Sequence, residues 1–308
     1  MNLSAVICTH NPRADYMART LAGLQQQSLS TAQWELVLVD NASREPLAAR
    51  LDLRWHPAAR IVAEIELGLT AARLRGIEEA RAPLLVFVDD DNVLAPDYLA
   101  RALDISLARA DLGVWGCGHY TPEWERVPPP DFAPYLEYLA VGQSSEDRWS
   151  LRAFDYAATP AGAGLCVRDI VARKYAGLVR GDPRRKLLGR TGSGLAGCED
   201  FDLAQTAIDL GLGSGVFSGL RMQHLMPSGR VEESYLLRLV EGHACSTVLL
   251  HALRQPEATP RPSGIIARLR EWRFRRSLAP IPLKIHLARR RGEQRGWEQF
   301  KSTQLVTQ

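Results

Sequence analysis

Three short apolar runs, each ending at a polar cluster, constrain most strongly what this 308-residue chain can fold into. Leu3–Cys8 runs into Thr9-His10-Asn11-Pro12, Glu35–Val39 into Asp40-Asn41-Ala42-Ser43, and Leu84–Val88 into Asp89-Asp90-Asp91-Asn92. Runs this short and this continuous read as strands buried on both faces, the condition of a parallel sheet covered by helices. Met17, Leu21 and Leu24 recur at helical spacing and predict a helix over 16–27; a second is predicted over 68–80, and 61–65 reads as a further strand. The order β-α-β-(β)-α-β is that of an α/β fold with a mostly parallel central sheet flanked by helices. In such sheets ligands bind beyond the carboxyl ends of the strands, so topology alone makes the three clusters converge.

The remainder of the chain is less regular. Pro128-Pro129-Pro130 with Trp124, Phe132, Tyr135 and Tyr138 reads as an irregular excursion facing substrate. A strand is expected over 161–167, and helices over 200–210 and 235–253, the first of them following Gly192-Ser193-Gly194 and Cys198-Glu199-Asp200. Five scattered cysteines without a Cys-x-x-Cys pair support neither a zinc knuckle nor a disulfide framework. The longest run free of charge, Thr20–Trp34, falls short of the roughly 20 apolar residues of a spanning helix. No basic and apolar leader is read at the start, which points to a cytoplasmic protein.

The clusters suggest chemistry. Three consecutive aspartates repel one another unless a hard divalent cation takes their oxygens; the bland reading is a solvated acidic turn. Asp40 can accept a hydrogen bond from a base or ribose, or simply close an Asx-type turn. Arg73, and less readily Arg75, can reach a diphosphate, where the guanidinium fork suits phosphate oxygens. Glu199-Asp200 at a helix start is either a dipole-stabilised charge pair or a general base held near an acceptor hydroxyl. His224 can ligate a metal only if the fold brings a carboxylate beside it.

Taken in order, five motifs resemble bacterial family 2 glycosyltransferases of the GT-A fold. They are Val6-Ile7-Cys8-Thr9-His10-Asn11-Pro12, Val37-Leu38-Val39-Asp40-Asn41-Ala42-Ser43, Gly68-Leu69-Thr70-Ala71-Ala72-Arg73, Val86-Phe87-Val88-Asp89-Asp90-Asp91 and Gly197-Cys198-Glu199-Asp200-Phe201-Asp202-Leu203. His224-Leu225-Met226-Pro227 with Arg230 is similar to the His-x-x-Pro-x-x-Arg segment of one bacterial subgroup, and the likeness covers roughly 1–245. Cys198 and Leu74 depart from the family's usual residues. The resemblance implies an inverting sugar transfer from a nucleotide-sugar donor, usually a UDP-sugar, to an oligosaccharide or lipid-linked acceptor in surface polysaccharide or glycolipid synthesis. It places Thr9 and Asp40 at the base, with His10, Asn11 and Asn41 in the same nucleotide-binding clusters. Arg73 falls near the diphosphate, Asp89 and Asp90 near ribose and sugar, and Gly164 where the sugar approaches the backbone. Asp91 and His224 become ligands of Mn²⁺ or Mg²⁺, Asp200 the catalytic base and Glu199 its support. A nucleotidyltransferase or Rossmann dehydrogenase is disfavoured because no glycine-rich loop follows Leu3–Cys8. A catalytically degenerate sugar-nucleotide-binding or scaffolding subunit is the alternative.

Charge divides the chain. Residues 261–308 carry twelve basic and three acidic residues, a net of +9, whereas 1–260 carry −6. This predicts a catalytic domain over 1–260, with a nucleotide-sugar half (1–115) and an acceptor half (116–260), and a basic helical extension over 261–308. Ile265, Leu269 and Trp272 recur at helical spacing among its arginines, the pattern of an interfacial helix on an anionic membrane, which would hold the protein at the inner membrane face. The competing expectation is a helix packed on the catalytic domain with its arginines solvated or paired. Nucleic acid is not expected as a partner.

Overall fold

The computed structural model describes residues 1–255, 257 and 264–305. In chain order the elements are β1 (Leu3–Thr9), α1 (Ala14–Gln25), β2 (Trp34–Asn41), β3 (Ala59–Glu64), α2 (Leu69–Glu79), β4 (Leu84–Val88), β5 (Asn92–Leu94), α3 (Tyr98–Ala108), β6 (Leu112–Trp124), β7 (Gly142–Gln143), β8 (Arg148–Ser150), β9 (Cys166–Arg168), α4 (Asp169–Gly181), α5 (Glu199–Asp209), β10 (Gly213–Met226), α6 (Glu233–Arg254), α7 (Ile265–Ser277) and α8 (Pro280–Leu305). The strands form one sheet in the order β3-β2-β1-β4-β9-β6-β10-β5, with β7 paired to β6 and β8 to β10.

The first four strands are parallel, Leu3 standing opposite both Trp34 and Leu84. Every residue of β2 and of β4 is buried, as their uninterrupted apolar runs require. Strand alternation divides them between two cores. Leu36, Leu38 and Val86 face Met17 and Leu24 of α1 and Leu99 and Ala102 of α3. Val37, Val39, Leu85 and Phe87 face Ala72 and Ile77 of α2, Val171 and Tyr175 of α4, and Leu203 and Ala207 of α5. Each such side chain stabilises the fold by about 1.5–3 kcal/mol through burial.

Beyond β4 the sheet becomes mixed. β9 is antiparallel to both β4 and β6, and β10 is parallel to β6 but antiparallel to β5 and β8. The mostly parallel expectation therefore describes the first half of the sheet. The strand expected over 161–167 shrinks to Cys166–Arg168, and the preceding small residues form a loop into the site. The long strands β6 and β10 are masked in the sequence by glycines. At Gly118 a side chain would lie 2.7 Å from the backbone carbon of Phe217, so the glycine is what lets the two strands approach.

The basic extension splits in two. α8 lies along α6, with Arg291 and Arg295 paired to Glu241 and Lys284 paired to Glu233. Gly296 permits the approach, since its Cβ would fall 2.7 Å from the carbonyl oxygen of Cys245. Ile285, Ala288 and Phe300 of α8 are buried. α7 differs: Leu269, Trp272 and Phe274 are 59%, 50% and 49% exposed, and its Glu271 pairs with its own Arg275 and with His286 of α8. Arg261 lies outside the described residues. All five cysteines are free thiols. Among the described residues no helix is long and apolar enough to cross a membrane.

Candidate active site

A cavity of about 740 Å³ opens where β1, β2 and β4 end. Thr9, His10, Asn41, Arg73, Asp89, Asp90, Asp91, Glu199, Asp200 and His224 all line it. Ten of the residues singled out from sequence thus meet at one place, from positions up to 215 apart in the chain.

At one end of this constellation, β5 pairs antiparallel with β10, His224 opposite Asn92, and the Leu225 N–H donates to the Asp91 carbonyl at 2.8 Å. That register brings His224 Nε2 to 3.7 Å from Asp91 Oδ1. Arg230 spans the pair, its Nη2 at 2.6 Å from Asp91 Oδ2 and its Nη1 at 2.9 Å from His224 Nε2. Burial alone would raise Asp91, but Arg230 and His224 outweigh it and hold the carboxyl well below its ordinary range. Its neighbour behaves oppositely: burial, reinforced by Asp91, pushes Asp90 up to about 7 against a hydrogen bond from the Thr9 hydroxyl. His224 Nδ1 lies 3.2 Å from the Ala140 carbonyl, a contact that a proton on Nδ1 satisfies.

The second centre is formed where α2 meets α5. Arg73, 2% exposed, places Nη1 at 3.1 Å from Glu199 Oε1 and Nη2 at 3.3 Å from the Gly162 carbonyl. Asp200 accepts the Gly162 N–H at 2.7 Å and the Phe201 N–H at 2.8 Å. Burial pushes the Glu199 carboxyl up to about 7 against the pull of Arg73, and Glu199 Oε2 has no hydrogen-bond partner. Burial raises Asp200 as well, opposed by Arg73 and the two backbone donors. A cavity-facing carboxylate with a raised pKa can take a proton near neutral pH. The third acid of this turn, Asp202, is wholly buried between Arg185 and Arg254 and ties α5 to α6.

Three expected residues stand apart from the cavity lining. Both Asp40 oxygens are taken by backbone, the Ser43 N–H at 3.3 Å and the Leu47 N–H at 2.8 Å, which closes the loop after β2. Asn11 sits at φ +49° and accepts the Arg44 N–H at 2.9 Å. Gly164 is packed beneath Tyr98 and Met222, whose atoms leave no room for a side chain, and its carbonyl accepts the Tyr98 hydroxyl at 2.6 Å. The small residue that does face the cavity is Gly162; its Cβ would stand 2.5 Å from Arg73 Nη2. His10 and Asn41 line the cavity while also holding its loops: His10 Nδ1 lies 2.7 Å from the Asn41 carbonyl, and Asn41 Oδ1 accepts the Gly68 N–H at 2.8 Å. Sequence reading passed over Gly162, Arg190, Tyr156 and His243 as lining residues, and took Arg230 only as part of a motif. The glycine run 189–197 around Arg190 was the available signal for one of them; nothing local marks the others.

The cavity residues fit a divalent cation. Asp91 and His224 offer one carboxylate and one imidazole 3.7 Å apart, and the Arg230 guanidinium that now bridges them marks a place where the site holds positive charge. Among the described residues no group of three or more His, Cys, Asp or Glu side chains forms a closed metal cage. The pair suits an ion that takes its remaining ligands from substrate phosphates and water.

Residues 4–153 match the model of Glycosyl transferase family 2. By that match this stretch, just under half of the chain, is similar to family 2 glycosyltransferase domains. The whole chain has the GT-A fold. The structure of S. aureus TarS 1–349 aligns with 99% of it and 92% of its own length at a TM-score of 0.52 and 13% identity. The mannosyltransferase PcManGT of Pyrobaculum calidifontis, in complex with GDP-Man and Mn²⁺, aligns with 99% of the chain and 75% of its own length at 0.52 and 20%. Among curated proteins, y4gI of Sinorhizobium fredii is 27% identical over 40% of this chain, and EpsH of Bacillus subtilis, whose name places it with the glycosyltransferases, is 26% identical over 40%. The chain spans 15% and 35% of those two relatives.

Proposed function

We propose that this protein is an inverting, metal-dependent glycosyltransferase of family 2. It moves a sugar from a nucleotide-sugar donor, read as a UDP-sugar, to a hydroxyl of an oligosaccharide or lipid-linked acceptor. The observation that carries the reading is the meeting, in one cavity, of the Asp91–His224 pair at the strand ends with Glu199 and Asp200 at the start of α5. TarS has been crystallised with UDP-GlcNAc and GalNAc-T7 with UDP, GalNAc and Mn²⁺, which supports a UDP-sugar and a divalent ion; PcManGT binds GDP-Man, so the base is a matter for direct titration.

In this reading Thr9, His10 and Asn41 border the nucleotide, and Asp89 and Asp90 border ribose and donor sugar. Asp91 and His224 would hold Mn²⁺ or Mg²⁺, which would neutralise charge on the leaving diphosphate. Asp200 takes the proton of the acceptor hydroxyl as that oxygen attacks the anomeric carbon; the bond to the diphosphate breaks in the same displacement, which inverts the configuration. Glu199, locked by Arg73, keeps Asp200 in place. Asp200→Asn should abolish transfer and retain nucleotide binding, read as release of nucleoside diphosphate over a panel of donors; turnover within tenfold of wild type would sink the assignment.

The outward face of α7 belongs to the same proposal. Arg276 stacks over Trp272 at 3.9 Å, and Arg268, Arg270 and Arg273 form no ion pair among the described residues. Exposed Leu269 and Trp272 among unpaired arginines suit the surface of an anionic bilayer, where each basic residue contributes about 1 kcal/mol. In flotation with phosphatidylserine vesicles, Trp272→Ala with Arg273→Gln should reduce binding at least tenfold. Unchanged flotation would remove the membrane from the reading.

A further inference from the structure

Beside Asp200 the cavity is walled by four rings in a row. Tyr156 lies 5.5 Å from Phe201 between centroids, Phe201 6.1 Å from His243, and His243 5.5 Å from Tyr138. They come from four separate places: the irregular excursion after β6, the turn after β8, α5 and α6. All four line the cavity. Phe201 packs also on the apolar core around Cys198 and Cys245, and Tyr138 on the clusters around Ile285 and around Met226. Tyr156 is 47% exposed, more than a ring placed for packing alone requires.

The two outer rings are held at their rims. Tyr138 accepts a hydrogen bond from Arg289 Nη2 of α8 at 2.8 Å, and the Tyr156 hydroxyl lies 2.8 Å from His251 Nε2 of α6. Both contacts use the phenolic oxygen, and the rings remain on the cavity wall, that of Tyr156 the more exposed. The polar groups beside the wall are two carboxylates, Asp200 and Glu137, the cations Arg190 and Arg289, and the His243 imidazole, which burial holds below its ordinary pKa and so neutral.

We propose that this wall is the acceptor subsite and that it takes the apolar face of a pyranose ring. The proposal rests on the sugar-transfer reading and names the part of the acceptor that is recognised. A pyranose presents C–H bonds on one face, which complement the electron-rich face of an aromatic ring, and hydroxyls at its edge, which neighbouring carboxylates and a neutral imidazole can receive. Phe201 follows Asp200 directly, so a sugar stacked on the wall presents an edge hydroxyl to that carboxylate. An alkyl chain here would leave both carboxylates desolvated without partners. α8 thereby acquires a function: Arg289 is a positioning residue for Tyr138.

The test uses the full chain with uridine diphosphate and Mn²⁺ present. Saturation-transfer NMR over a panel of methyl glucosides, galactosides, mannosides and N-acetylglucosaminides should show binding, with saturation concentrated on the protons of one ring face. Tyr138→Leu and Tyr156→Leu, which keep apolar bulk, should each weaken that binding about three- to tenfold, and together more. Arg289→Gln should give a smaller loss, and nucleotide affinity by calorimetry should stay within twofold. Equal pyranoside binding by the double variant, or binding of a short-chain prenyl phosphate while no pyranoside binds, would overturn the subsite. Failure of the wild-type chain to bind any nucleoside diphosphate would instead overturn the sugar-transfer reading beneath it.

Discussion

Replacing Arg73 by Gln tests the electrostatic logic of the site. Arg73 and Glu199 are 2% and 4% exposed and 3.1 Å apart, and Glu199 Oε2 already lacks a partner. Removing the guanidinium leaves a buried carboxylate uncompensated, a change that costs about 3–5 kcal/mol when the acid must stay charged. The loss depends on pH. Glu199 titrates at about 7 in the folded protein, against an ordinary value of 4.5, so the folded state holds a proton that the unfolded state releases, and stability falls as pH rises through that window. Without Arg73 the folded pKa climbs further and the fall continues above pH 7. Between pH 7 and 8.5 one carboxyl then accounts for about 2 kcal/mol of additional loss. Urea unfolding of wild type and Arg73→Gln at pH 6 and pH 8.5 measures this directly. Destabilisation should be markedly larger at pH 8.5, and Glu199→Gln in the Arg73→Gln background should recover part of it. An equal loss at both values would mean that Arg73 contributes packing, and would refute the charge argument.

Two further expectations concern the same cavity. Gly162→Ala should crowd the Arg73 guanidinium and lower kcat at least tenfold, with a stability loss smaller than that of Arg73→Gln. Gly164→Ala, at φ +72° beneath Tyr98 and Met222, should instead lower unfolding stability by about 1–3 kcal/mol; the reverse pattern would return Gly164 to the donor site. Asp91→Asn should weaken Mn²⁺ binding, followed by electron paramagnetic resonance with nucleotide present, about tenfold or more; unchanged affinity would remove Asp91 from the metal site.

The nucleotide half was legible because its information is local. Continuous apolar runs mark β1, β2 and β4 as buried on both faces, and the polar residue that ends each run marks the strand end. Thr9, Asp89–Asp91 and the Glu199-Asp200 turn therefore reach the cavity as expected. Asp40 was ambiguous for the same reason: an aspartate after a strand can serve a ligand or its own turn, and only the positions of the Ser43 and Leu47 N–H groups show which. β6 and β10 were hidden by glycines that exist for the contact between them.

By itself, then, the sequence determined an α/β sheet with acidic strand ends, a carboxylate pair opening a helix and a separately charged tail. These follow from periodicity, turn chemistry and composition, each a property of neighbouring residues. Tertiary structure alone decided which residues share a space. The β5–β10 register sets His224 beside Asp91, loop 161–165 delivers Gly162 rather than Gly164 to Arg73, and four distant segments assemble the aromatic wall. It also divided the basic tail, because α6 offers carboxylates to α8 and none to the outward face of α7. Burial and charge pairing act through space between residues far apart in the chain, and local pattern carries no record of those distances.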